Sequence, residues 1–132
     1  CYWMHNRLWV NDPDFAIIRS PQTSDDPFLN RPYRKHPLVD DAAYWMAGDD
    51  ASFTELRTWL TVVYLTGGSI FLSDCMPRLG ELGQSTLEKL LDAPACGARP
   101  VDLLSDGPPS IWLARDGECT VVGVINWSDE ER

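Results

Sequence analysis

The residues with the most chemical potential in this chain stand in one run, Asn11-Asp12-Pro13-Asp14. Paired carboxylates can accept hydrogen bonds or hold and move a proton. They follow the apolar stretch Leu8-Trp9-Val10, which reads as a buried strand. Pro13 removes a backbone donor and fixes its own φ, so pairing should stop there. The spacing thus predicts two carboxylates just past the carboxyl end of a strand, where α/β enzymes carry their chemistry. The same four residues also suit a plain turn, and at the level of residue types both readings stay open.

Other groups offer less. The pairs Asp25/Asp26, Asp40/Asp41 and Asp49/Asp50 are adjacent acids in loop-like sequence, where solvation is the ordinary state. The four cysteines, Cys1, Cys75, Cys96 and Cys119, form no C-x-x-C pair and read as buried thiols. Two histidines, His5 and His36, are too few for a multi-histidine metal site. With 132 residues, 44% hydrophobic and 23% charged, the chain has the makings of one globular domain. A net charge of −9 argues against nucleic acid or an anionic membrane as partner, since both need a basic patch. Six tryptophans could line a sugar site or fill a core. No apolar stretch reaches the roughly 20 residues needed to span a bilayer. The chain begins with Cys1, not Met, which reads as processing or as a piece of a longer polypeptide. Localisation is not legible directly, with the cytoplasm favoured.

The elements that must position these groups follow from periodicity. A second apolar run, Phe15 to Ile18, ends at Arg19, and residues 20–40 read as a proline-rich loop. Residues 40–47 suit a short helix stopped by Gly48. Ser52-Phe53-Thr54-Glu55 is a capping box, and Leu56, Trp59, Leu60 and Val63 trace one helical face that Gly67-Gly68 terminates. Ile70-Phe71-Leu72 reads as a strand buried on both faces. A further helix is expected from about Arg78 to Asp92, with its firm part from a second capping box at Ser85. Ile111 to Arg115 and Glu118 to Trp127 flank Asp116-Gly117 and read as a β-hairpin. Prolines and glycines between residues 94 and 109 suggest a boundary.

Taken together, these stretches resemble the α-galactosidase clan of glycoside hydrolases, chiefly family 36 and more distantly family 27. Trp9 to Asp14 is similar to that clan's Asn-Asp-Pro-Asp motif. Glu55-Leu56-Arg57, then Thr66-Gly67-Gly68-Ser69-Ile70-Phe71-Leu72-Ser73-Asp74, resemble the next helix and the last barrel strand in those enzymes. Ala98 to Leu103 and Gly123 to Ser128 resemble the join into, and a strand of, the C-terminal β domain. The resemblance implies an α/β plus β fold: the last β/α units of a (β/α)8 barrel in residues 1–96, then the beginning of an antiparallel C-terminal β-sandwich in residues 97–132. A whole barrel takes about 250 residues, so roughly two strands and helices would be present.

The resemblance further implies a retaining hydrolase of terminal α-linked galactose. Such enzymes use two carboxyls about 5–5.5 Å apart. The motifs that carry the nucleophile and the acid/base in the family lie upstream and are not found here. The isolated chain is therefore expected to be inactive, and no catalytic residue is assigned. The implied substrate-binding residues are Asp14, lining the sugar pocket, Asp12, bracing the loop, Asp74, facing the same rim or equally capping the helix that follows, and Trp9, packed in the barrel. Arg19 could pair with one of these acids. No cofactor or metal is implied. The expected partner is an α-galactoside, with the missing part of the barrel or self-association covering exposed edges. The alternative is a non-catalytic carbohydrate-binding or interaction module.

Overall fold

A computed structural model describes residues 4–25, 51–116 and 119–128. The expected helix at 40–47, Gly117 of the hairpin turn, and Cys1 and His36 lie outside these residues.

Helix α1 spans Phe53–Thr66 and begins as the sequence predicts. The Ser52 hydroxyl accepts from the Glu55 N–H at 3.2 Å, and the Glu55 carboxylate accepts from the Ser52 N–H at 2.8 Å. Those donors from Ser52, the backbone one first, hold the Glu55 carboxyl below its ordinary value. The sign follows: the cap's ionic contribution is full above the ordinary carboxylate value and is lost as pH falls through the lowered one. Ser52→Ala should cost about 1 kcal/mol, read as a lower urea midpoint with an unchanged slope. Leu56, Leu60, Val63 and Leu65 are buried, and Gly67 ends the helix with a positive φ of 66°.

Strand β1, Phe15–Ala16, lies parallel to β2, Phe71–Leu72, with Phe15 opposite Phe71 and Ala16 opposite Leu72. Helix α1 falls between them in sequence. The Trp59 indole N–H, on α1, donates to the Phe15 carbonyl at 2.9 Å. Helix α2 spans Glu81–Asp92, with Gly80 as its N-cap. It starts four residues before Ser85, so Ser85 sits inside the helix rather than capping it. The reason is tertiary. A side chain at Gly83 would put Cβ 2.5 Å from the Thr23 carbonyl oxygen, so a glycine lets the first turn dock on the 20–23 turn. The Gly80 N–H donates to that same carbonyl at 2.9 Å.

The second sheet is antiparallel, in the order β3 (Arg99–Pro100), β4 (Ile111–Asp116), β5 (Cys119–Val124). The hairpin register runs from Ile111 opposite Val124 to Asp116 opposite Cys119. β5 stops three residues before the expected Trp127. There the Asn126 carboxamide accepts from the Ser128 N–H, and the Trp127 indole N–H donates to the Pro109 carbonyl. Such side-chain to backbone bonds compete with a ladder. β3 is an element the sequence reading missed, having taken Arg99-Pro100 as a join. Asp102 accepts from the Ser110 and Ile111 N–H groups, the Ser110 bond chiefly holding its carboxyl below the ordinary value against the effect of burial. That contact ties the β3–β4 connection to the start of β4.

Two apolar clusters hold these pieces. Ala16, Ile18, Leu56, Leu60, Val63, Leu79 and Leu90 join the 15–18 segment to both helices. Leu65, Cys96, Ala98, Trp112 and Ile125 join the end of α1 to the antiparallel sheet.

The expected architecture, the last β/α units of a (β/α)8 barrel leading into a β-sandwich, is corrected by this arrangement. Among the described residues there are two α-helices, a sheet of two strands and a sheet of three. A barrel portion needs tilted strands long enough to stack side chains in interior layers. The parallel ladder is two residues long, and Phe15, Phe71 and Leu72 are exposed rather than layered. Leu8-Trp9-Val10 is no strand: Arg7 and Leu8 N–H groups both return to the Met4 carbonyl in a turn. Of the cysteines expected to be buried, Cys96 is, whereas Cys75 and Cys119 are exposed.

Candidate functional site

The Asn11 to Asp14 run folds into a bracketed loop that enters β1. Asn11 is buried, and its N–H donates to His5 Nδ1 at 3.1 Å. Its carbonyl accepts from the Ser69 N–H at 2.9 Å, which fixes the loop against the segment entering β2. Because Nδ1 accepts, a neutral His5 carries its proton on Nε2. The Asn6 amide nitrogen lies 3.0 Å from Nε2, so that contact is a hydrogen bond to an Nε2–H only with the carboxamide turned over to present its oxygen. Asn11 Oδ1 is buried with no partner among the described residues, while its amide nitrogen reaches the Thr66 carbonyl at 3.4 Å.

Beyond Asn11 the carboxylates order their own backbone. Asp12 Oδ1 accepts from the Asp14 N–H at 3.1 Å, an Asx turn. Asp14 has a positive φ of 76°, a region that aspartate tolerates better than most side chains, and its Oδ1 accepts from the Phe15 N–H at 2.7 Å. Each carboxylate keeps a second oxygen with no hydrogen-bond partner among the described residues. The two acids, with Phe15 and Phe71, line an open cavity of about 430 Å³. The ring pair is a consequence of register, since Phe15 and Phe71 are direct neighbours across the parallel ladder and both stay half exposed. Acceptors beside aromatic faces are the groups that recognise polyols, with hydroxyls donating to carboxylates and C–H faces stacking on rings.

The site residues expected from sequence separate into two places. Asp12 and Asp14 share the cavity. They lie at the amino end of β1, however, because the strand follows them instead of preceding them. Asp74 lies at the other end of the ladder. Its side chain is fully buried, with Oδ2 accepting from the Ile18 N–H at 2.8 Å and Oδ1 from the Arg19 N–H at 3.0 Å. Arg19 Nη1 also reaches Asp74 Oδ1 at 3.3 Å and the Ser73 carbonyl at 2.9 Å. The expected ion pair of Arg19 with an acid is present, and it staples the chain after β1 to the chain after β2. One rim does not hold Asp14 and Asp74 together. Trp9 is half exposed and outside the cavity, its carbonyl accepting from the Asn6 N–H. The packing role expected for it is not what it does.

The sequence reading missed Phe15 and Phe71 as cavity walls and His5 as the partner of Asn11. The aromatic residue directly after Asp14 was the available signal for the first. No signal local in sequence could bring residue 71 beside residue 15. Among the described residues no group of three or more His, Cys, Asp or Glu side chains could hold a metal ion. No described helix is long and apolar enough to cross a membrane.

Comparison with family models, with curated proteins and with solved structures finds no match to this chain. The resemblance to the α-galactosidase clan therefore stands on the quoted residues alone.

Proposed function

We propose that the chain recognises a terminal α-linked galactose through the Asp12–Asp14–Phe15–Phe71 cavity. It does so as the C-terminal portion of a retaining α-galactosidase-like glycoside hydrolase whose nucleophile and acid/base it does not supply. The observation that carries this reading is the cavity itself, two carboxylates with uncommitted oxygens beside a pair of half-exposed rings. Its volume, about 430 Å³, suits a monosaccharide with room for its aglycone. The resemblance of Asn11 to Asp14 to the clan's motif supports the choice of sugar. Within that reading Asp14 accepts from ring hydroxyls, Asp12 holds the loop that presents it, and Phe15 and Phe71 carry the apolar face of the ring.

Calorimetric titration of the chain with methyl α-galactoside, against methyl α-glucoside, tests the proposal. Saturable binding that prefers the galactoside is expected, with no turnover of an aryl α-galactoside. Asp14→Asn removes the charge, keeps a residue that accepts positive φ, and should weaken binding about tenfold. Binding unchanged by that substitution, or robust hydrolysis by the chain itself, would overturn the reading.

A further inference from the structure

The Ile125 N–H donates to the Ser110 carbonyl at 2.8 Å, which makes Ser110 and Ile125 a hydrogen-bonded pair. Counting along the register, Gly123, Val121 and Cys119 then point their N–H and C=O groups at β4. Thr120, Val122 and Val124 point theirs away, along an edge with no partner strand among the described residues. β5 contains no charged residue and no proline, the two devices that usually blunt such an edge. The side chains on the outer face of the hairpin continue the theme. Ile111, Leu113, Val122 and Val124 are all exposed, in two direct cross-strand pairs.

We propose that β5 is a self-pairing edge, joining a second copy of this chain in an antiparallel ladder centred on Val122. The three outward-pointing residues are evenly spaced about Val122. A two-fold axis there sets Val122 opposite its own copy and Thr120 opposite the copy's Val124. One register thereby satisfies every outward group on both strands, as an isologous contact requires. Charge favours the same occupant. The chain carries a net −9, so two copies repel over most of their surface. The described charged residues on this outer face are Arg99 and Arg115, beside Leu113, and they are cationic. Among the described residues, approach along β5 brings two acidic molecules together without bringing an acidic side chain to the seam. The product is one six-stranded sheet with the apolar outer faces of both hairpins side by side.

Sedimentation equilibrium of the full chain across a range of concentrations tests this. A monomer–dimer equilibrium is expected. Val122→Lys should weaken it at least roughly tenfold by placing like charges at the axis. Val122→Pro should do the same by deleting an outward N–H that β4 does not use. Circular dichroism checks that both variants keep the fold. The register has its own readout: with Cys1, Cys75 and Cys119 replaced by Ser, Val122→Cys should oxidise to a covalent dimer, whereas Val124→Cys should not. A chain that stays monomeric throughout, an association indifferent to both Val122 variants, or cross-linking at 124 in preference to 122 would each overturn the proposal.

Discussion

Asp74→Ala should lower stability by about 3 kcal/mol, read as a shift in urea midpoint at constant slope. The carboxylate is fully buried and accepts from two consecutive backbone N–H groups as well as from Arg19. Truncation leaves the Ile18 and Arg19 N–H groups without acceptors, and Ile18 itself is wholly buried, so water does not readily replace the oxygen. Arg19 keeps its bond to the Ser73 carbonyl and about a quarter of its exposure, so its charge is partly solvated. Arg19→Ala should therefore cost about 1 kcal/mol, well under the loss at Asp74. Asp74→Asn should fall between the two, since one amide edge can still accept. A loss at Asp74 no larger than at Arg19 would show that the ion pair, not the backbone bonds, holds this junction. Sugar binding at the opposite end of the ladder should survive in whatever fraction of Asp74→Asn remains folded, because Asp12 and Asp14 do not touch this cluster.

Gly68→Ala should be comparably damaging, at about 3 kcal/mol or more, and should also impair the cavity. Two causes add. Gly68 has a φ of 100°, which side-chain-bearing residues rarely adopt, and a Cβ there would stand 2.0 Å from the Asn11 carbonyl oxygen. That oxygen is backbone and accepts from Ser69, so the clash cannot be relieved by rotating a side chain. The loop carrying Asp12 and Asp14 must move instead. Gly107 separates the causes, since its φ is 96° but nothing lies within 4 Å of its would-be Cβ. Gly107→Ala should cost only about 1 kcal/mol and leave galactoside binding intact. Equal losses at the two glycines would show that backbone conformation alone matters, without the close approach. Thermal unfolding of the two variants side by side makes the comparison.

The parts legible from sequence were those in which short-range chemistry decides. The capping box at Ser52 and Glu55, the helical stripe of Leu56, Leu60 and Val63 (with Trp59, its fourth expected member, left exposed), and the stop at Gly67 all act within one or two turns of chain. Each has a dedicated residue type. The hairpin is equally local, although its ladder takes in Asp116, paired with Cys119, where the sequence places Asp116 in the turn. Its periodicity was readable, although which face would be buried was not. The Val121, Gly123 and Ile125 face turned inward because Leu65 and Trp112 were there to meet it.

What the sequence left open was settled by contacts between distant segments. Leu8-Trp9-Val10 has the composition of a buried strand, but a strand needs a neighbour, and its backbone found Met4 and His5 instead. The ladder formed one step later, at Phe15–Ala16, since there Phe71–Leu72 lay alongside. That shift moved Asp12 and Asp14 from the carboxyl end of a strand to its amino end. The glycines of α2 looked like weak points and became the docking surface for Thr23. Asp74 had the look of a rim carboxylate and became a buried acceptor, because the Ile18 and Arg19 N–H groups met it. Residue types by themselves determined that acids and aromatic rings were available, and where a helix and a hairpin would start. The pairing of residue 15 with residue 71 decided which acids stand beside which rings, because side-chain reach is a few ångströms and only the folded chain brings such distant positions within it.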